Sequence, residues 1–262
     1  MSTAFEAGLR LSFFVGIFAL LAILEAVFPR RNRYQTRRLR WSNNLSLSLL
    51  NQVVTLVVIP LTAVALAILM EREGWGLLNL VTLPTAIEYL AAILLLDLTI
   101  YWQHRMYHAV PILWRFHRVH HADTDFDVST GIRFHPISIL LSALIKIGAV
   151  VLIGPAALAV LIFEVLLNAT SLFNHSNFKI VPAVDRYLRN ILVTPDMHRV
   201  HHSSDPAELR CNFGFNFPWW DHLFGSYLAQ PKTGHQDMEI GLTSFRDARE
   251  QQLPHLLTQP FR

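Results

Sequence analysis

ISILLSALIKIGAVVLIGPAALAVLIFEVLLNATSLF, from Ile137 to Phe173, is too long for one ordinary membrane crossing and carries Gly154-Pro155 in its middle. A spanning helix needs about 20 mostly apolar residues, and a Gly-Pro pair breaks or sharply kinks a helix. Dividing the stretch there predicts an outgoing and a returning helix, residues 137–153 and 156–173. One continuous tilted span would instead leave the flanking segments on opposite sides of the membrane. The choice decides whether two copies of one pentad, His117-Arg118-Val119-His120-His121 and His198-Arg199-Val200-His201-His202, can share a site.

Three more apolar stretches precede this one: Leu11–Leu24, Leu45–Met70 and Leu77–Trp102. Hydrophobic residues make up 52% of the 262 and charged ones 16%, more apolar than a soluble core requires. The second stretch has no charge at all. An integral membrane protein is predicted, with spans near residues 8–28, 45–70, 79–103, 137–153 and 156–173. The first stretch lacks a basic n-region and a small-residue cleavage site, so it is expected to be a retained anchor. Cys211 is the only cysteine, which excludes an intrachain disulfide and a thiolate metal knuckle.

The net charge of +3 is small, but Arg30, Arg31, Arg33, Arg37, Arg38 and Arg40 follow the first stretch closely. Beside a spanning helix such a run reads as a headgroup and topology signal rather than a nucleic-acid patch, and no nucleic-acid partner is expected. The positive-inside rule places it in the cytoplasm. Under the hairpin division every histidine from His104 onward then falls on the cytoplasmic side, which in a bacterium is that of the inner membrane. No Gly/Ser linker divides the chain. We expect a single integral-membrane domain, 1–262, with a cytoplasmic cap from 104–135 and 175–227.

Thirteen histidines in 262 residues would give the HxxHH spacing about 0.03 times by chance, yet it occurs twice. Positions i, i+3 and i+4 share a helix face, so each copy projects three imidazoles together. His104 and His108, at i and i+4, close the third stretch. Neutral imidazole suits iron, zinc, copper and nickel. These eight imidazoles exceed the roughly four to six that one ion takes, so two metals are expected. A closed zinc pair is disfavoured by the single cysteine, and HExxH chemistry by Arg and Val in the intervening places. A bis-histidine haem would leave the doubled pentad unexplained. The spacings favour a two-metal, oxygen-activating site.

His104-Arg-Met-Tyr-His108, His117-Arg-Val-His-His121 and Thr194-Pro-Asp-Met-His198-Arg-Val-His-His202 resemble the three histidine boxes of the fatty acid hydroxylase and sterol desaturase superfamily. Neighbouring segments agree: Arg133-Phe134-His135-Pro136, Asn174-His175-Ser176-Asn177, Asn212-Phe213-Gly214 and Trp220-Asp221-His222-Leu223-Phe224-Gly225. The resemblance covers roughly Asp97 to Tyr227. It implies an all-α membrane protein of about four transmembrane helices, the last two a hairpin, with a helical, histidine-rich cytoplasmic cap. It further implies a non-haem di-iron oxidase: two Fe ions held by histidines, with O2 as co-substrate. In that family an additional histidine ahead of the third box commonly ligates metal, and His175 stands there. Fatty acid 2-hydroxylases place another a turn earlier, where this chain has Ser171. The implied ligands, and catalytic residues, are therefore His104, His108, His117, His120, His121, His175, His198, His201 and His202. The flank of His135 suggests a structural or supporting role, while His222, His235 and His255 lack cluster spacing and are expected at surfaces or interfaces.

Asp97 precedes Tyr101 by four residues and His104 by seven, so the three share a helix face. A carboxylate at that depth usually has a partner, and Asp97 is expected to accept a hydrogen bond from a ligand imidazole. Glu164, Asn168, Ser171 and His175 form a polar stripe. It reads either as helix–helix glue or as a channel lining in which Asn168 or Ser171 holds a metal-bound water. Phe213, Phe215, Phe217, Trp219 and Trp220 are expected to seat the cap on headgroups.

The expected chemistry is hydroxylation of an unactivated C–H bond. A second hydrogen abstraction from the adjacent carbon would give an alkene, so a lipid desaturase of the same site type is an alternative, as is a non-catalytic membrane metal-binding protein. His104 and His108 emerge directly from the third span, which favours a lipid substrate: a fatty acyl chain, sterol or hopanoid, carotenoid or ether lipid. The chain has neither a GxGxxG loop nor a cysteine set for an iron–sulfur cluster, so electrons must come from an external donor or reductase.

Overall fold

The computed structural model describes residues 3–262, and every regular element among them is helical. Five segments are long and apolar enough to cross a membrane: Phe5–Val27, Arg37–Leu80, Thr85–Ala109, Pro136–Ile153 and Ala157–Asn174. The hydropathy pattern anticipates all five, one more than the four or so implied by the family resemblance. In chain order the helices are α1 (Thr3–Val27), α2 (Arg37–Val58), α3 (Ala63–Glu73), α4 (Thr85–Ala109), α5 (Pro111–His121), α6 (Pro136–Ile153) and α7 (Ala157–Asn174). Shorter α8 (Pro182–Leu188), α9 (Pro195–His201) and α10 (Trp219–Leu223) follow.

The charge-free stretch over 45–70 is not one helix. Pro60 has no N–H to donate, and its ring clashes with a helical carbonyl four residues back. Accordingly α2 stops at Val58, and α3 starts at Ala63 behind Thr62, whose hydroxyl accepts from Ala65 N at 3.1 Å. The hairpin forms where expected: α6 ends at Gly154 with φ 63°, and α7 begins at Ala157. A side chain cannot fit at that turn, because a Cβ on Gly154 would stand 2.5 Å from the Trp75 carbonyl oxygen. Asn79 Nδ2 donates to the Gly154 carbonyl at 3.1 Å and so ties the α3–α4 loop to the hairpin.

This closes one end of the bundle. Val64, Ala67, Leu96, Val150, Val160 and Phe163 fill the core between α3, α4, α6 and α7. At the other end gather the C-termini of α1, α4 and α7 and the N-termini of α2 and α6, linked by Pro29 bridging Phe178 and by Asn51 Nδ2 donating to the Phe134 carbonyl. Leu253, Leu256 and Leu257 of the C-terminal segment pack there on Leu47 and Val119.

The arginine run does not remain a surface patch. Arg40 is fully buried between Asp123, at 2.8 Å, and Asp127, and Arg30 reaches Asp196 at 3.1 Å. Arg33 and Arg37 approach the buried Glu25 at 3.9 and 3.7 Å. Removing one partner of a buried pair strands the other charge, so the Arg40 contacts fix α2 to the segment that follows α5.

Candidate metal centre

Nine histidines meet at this end of the bundle. α4 supplies His104 and His108 from successive turns, and α5, begun by Pro111, ends on His117, His120 and His121. His175 is the C-cap of α7. In α9, Pro195 occupies the first turn and Thr194 caps it by accepting from Met197 N, which presents His198, His201 and the C-cap His202.

Their ligand-capable nitrogens sort into two groups, each within 4.8 Å: His104, His108, His117, His121 and His201; and His120, His175, His198 and His202. In the first, His121 Nε2 lies 3.1 Å from that of His108 and 3.2 Å from that of His117, and His201 Nε2 lies 3.0 Å from that of His104. In the second, His175 Nε2 is 3.1 Å from those of both His120 and His198. Each pentad therefore serves both groups. The first gives His117 and His121 to one and His120 to the other; the second gives His201 to one and His198 and His202 to the other.

Backbone carbonyls set four of the rings. Nδ1 of His104, His120, His175 and His201 faces the carbonyls of Phe213, Arg133, Ser171 and Cys211 at 2.9, 3.2, 2.7 and 2.7 Å. A carbonyl only accepts, so each of these rings carries its proton on Nδ1 and turns a bare Nε2 lone pair into the cluster. Burial, with repulsion from neighbouring imidazoles, holds His117, His120, His121, His198, His201 and His202 well below the ordinary histidine range. Burial also lowers His175 to about 3, against the opposing bond to Ser171. Neutral imidazole is the ligand form.

These residues fit metal ions. Two nitrogens about 2.1 Å from one ion stand about 3.0 Å apart at a right angle and about 3.4 Å apart at the tetrahedral angle. The observed contacts of 3.0–3.2 Å run from the former to midway between the two. His202 is buried with no hydrogen bond at either ring nitrogen, and buried polar atoms are rarely left so.

Other expected site residues stand elsewhere. Asp97 contacts no imidazole; it accepts from Trp220 Nε1 at 2.8 Å and from the backbone N–H groups of Asn216 and Phe217. Asn168 is exposed and bonds the Glu164 carbonyl of its own helix, and the Glu164 carboxylate is met by Arg10 at 2.9 Å and by Lys146. Of the stripe, Glu164 ties α7 to α1 and α6, while His175 belongs to the histidine cluster. Ser171 joins the site through its carbonyl, its hydroxyl being donated to the Gly131 carbonyl at 2.9 Å. His135 caps α6, with Nδ1 accepting from Ile137 N and Nε2 facing the Leu257 carbonyl. His235, expected at a surface or interface, is buried 3.6 Å from Asp196.

The aromatic series faces inward at its start rather than toward headgroups. The Phe213 ring packs on His104, His108 and His201, and Phe215 on His104, His175 and His198. Two carboxylates hold this loop: Asp97, and Asp221, which accepts from Phe213 N and Gly214 N at 2.8 Å each. A Cβ on Gly214 would stand 2.7 Å from the Asp221 carboxylate. Sequence reasoning missed the carbonyl partners, which no side chain advertises; the quoted Asn212-Phe213-Gly214 segment is their nearest signal.

Helices long and apolar enough to cross a membrane share an end that gathers histidines able to hold metal, and the fatty acid hydroxylase family model matches residues 89–226. The chain belongs to that family. It is 26% identical over 257 residues to the ornithine lipid hydroxylase OlsE of Rhizobium tropici, covering 92% of this chain and 74% of that protein. Against the alkylglycerol monooxygenase of Homo sapiens it is 28% identical over 158 residues, 58% of this chain and 32% of that one. Against the very-long-chain aldehyde decarbonylase GL1-6 of Oryza sativa subsp. indica it is 26% identical over 135 residues, 48% and 20% respectively. No solved structure matches.

Proposed function

We propose that the chain is a di-iron lipid hydroxylase that uses dioxygen and electrons from a separate donor. The observation that carries this reading is the sorting of nine imidazoles into adjoining sets of five and four, each short of a filled octahedron. Those nine histidines are the ligands in this reading, and 1–262 is one domain whose cap holds them. When bound, an iron pair would supply the reduction of dioxygen and the attack on an unactivated C–H bond. The protein's part is to fix geometry. The carbonyls of Phe213, Arg133, Ser171 and Cys211 hold four rings in register, while Phe134 stacked on His120 and Phe213 over His104 keep water from the cluster. The two relatives named for hydroxylase and monooxygenase activity on lipids support hydroxylation, over desaturation, of a membrane lipid. Arginines next to α1 support a cytoplasmic position for the histidine end.

Metal analysis with oxygen uptake under a chemical reductant tests this. About two irons per chain and reductant-dependent uptake are expected; His120→Ala or His201→Ala should abolish the uptake and lower the metal content. One tightly held zinc without oxygen uptake would overturn it. Cysteine labelling in a Cys211-free background tests the orientation, since positions 110 and 205 should be protected together from an external reagent.

A further inference from the structure

Away from the histidines, a cavity of about 430 Å³ opens where α1 and α7 end. Arg30 lies just past α1 and Lys179 just past α7; Arg186 and Arg189 come from α8 and its cap. These four cations share the lining with two carboxylates, both already engaged. Asp196 pairs with Arg30 at 3.1 Å and with Arg199, and Asp185 pairs with Arg189. Lys179 and Arg186, both exposed, form no ion pair among the described residues.

The interior is under-bonded as well. His235, with 4% of its side chain exposed, lines the cavity with no hydrogen bond at either ring nitrogen and lies 3.6 Å from Asp196. The buried Arg189 also leaves its Nε without an acceptor. Buried donors in that state are costly, and an oxyanion would satisfy them. On the same segment Val181, Val184 and Tyr187 are exposed, as is Phe28, whose carbonyl accepts from Lys179 N. An uncompensated cationic mouth beside bare apolar side chains, where two spans end, suits a lipid headgroup with its chains alongside.

We propose that this cavity binds the phosphate group of an anionic phospholipid headgroup, with the acyl chains lying against Val181, Val184 and Tyr187. Native mass spectrometry of the detergent-purified full chain with phosphatidylglycerol reads it directly. The wild type should retain one lipid, and Lys179→Glu with Arg186→Glu, both at exposed positions, should retain it at least about tenfold more weakly with unchanged helicity. His235→Phe, at the buried wall, should weaken retention in the same sense. Equal retention by wild type and double variant would overturn the site. Millimolar inorganic phosphate raising the melting temperature as much as the lipid would overturn the lipid as its occupant.

Discussion

The two HRVHH pentads share five letters but little else. In the first, on α5, Arg118 is partly exposed and donates to the Gln259 carbonyl while lying over the Phe245 ring, so it clasps the C-terminal segment. In the second, on α9, Arg199 is fully buried, pairs with Asp196 and lies over Phe126, a ring that packs on His175 and His202. The histidines divide in mirror fashion, two and one from the first copy, one and two from the second. A pentad with imidazoles at i, i+3 and i+4 can straddle two neighbouring groups of donors, and two such pentads in opposed settings contribute to both. The difference between the copies teaches that the histidine spacing serves the two nitrogen groups, while the arginine between serves whatever packs behind it.

The largest expected effect separates the two groups. The smaller has four donors, and His202 in it has no bond to any other group. If the proposed iron pair is bound, His202→Ala should remove about one iron per chain and lower turnover more than about 100-fold, beyond the tenfold to 100-fold typical of losing a ligand's supporting partner. His117→Ala, which leaves four donors in the larger group, should keep more metal. Metal counted per purified chain checks this, and a greater loss in His117→Ala would break the division into five and four. The arginines come next. Arg199→Ala, which strips a fully buried partner from Asp196, should cost about 3 kcal/mol, and Arg118→Ala less than about 1 kcal/mol. Denaturant titration of both variants in micelles measures the gap; equal losses would remove the asymmetry.

Much of this was legible in the sequence because it rests on local rules. Gly154-Pro155 supplies both the positive φ and the missing N–H of a turn, and helical spacing puts the histidines on common faces. What stayed hidden depends on distant partners. Arg40 reads as one more cation in a run, and only the arrival of Asp123 and Asp127 from beyond α5 buries it. Helical periodicity places Asn168 and Ser171 in one stripe, but it cannot say that Arg10 and Lys146 come to meet Glu164. Asp97 shares a face with His104, yet the Phe213 carbonyl reaches that imidazole while Asp97 holds the loop that carries it. Pro60 lay in plain view, outweighed by the absence of charge around it.

The smallest effect tests how each pentad helix is started. α9 has only seven residues and opens on Thr194, whose hydroxyl accepts from Met197 N at 3.4 Å, whereas α5 has eleven and opens on Val110 with no side-chain bond. A cap matters more to the shorter helix, because fewer intrahelical bonds offset the unsatisfied N–H groups of its first turn. Thr194→Ala should therefore cost about 1 kcal/mol, with Thr194→Ser near neutral, and Val110→Ala should stay within about 0.5 kcal/mol. Because α9 gives two of its three imidazoles to the four-donor group, the Thr194→Ala loss should also appear as faster release of one iron to a chelator. Equal release from the Val110→Ala protein would show that the second pentad is held by its packing against α7 rather than by its cap.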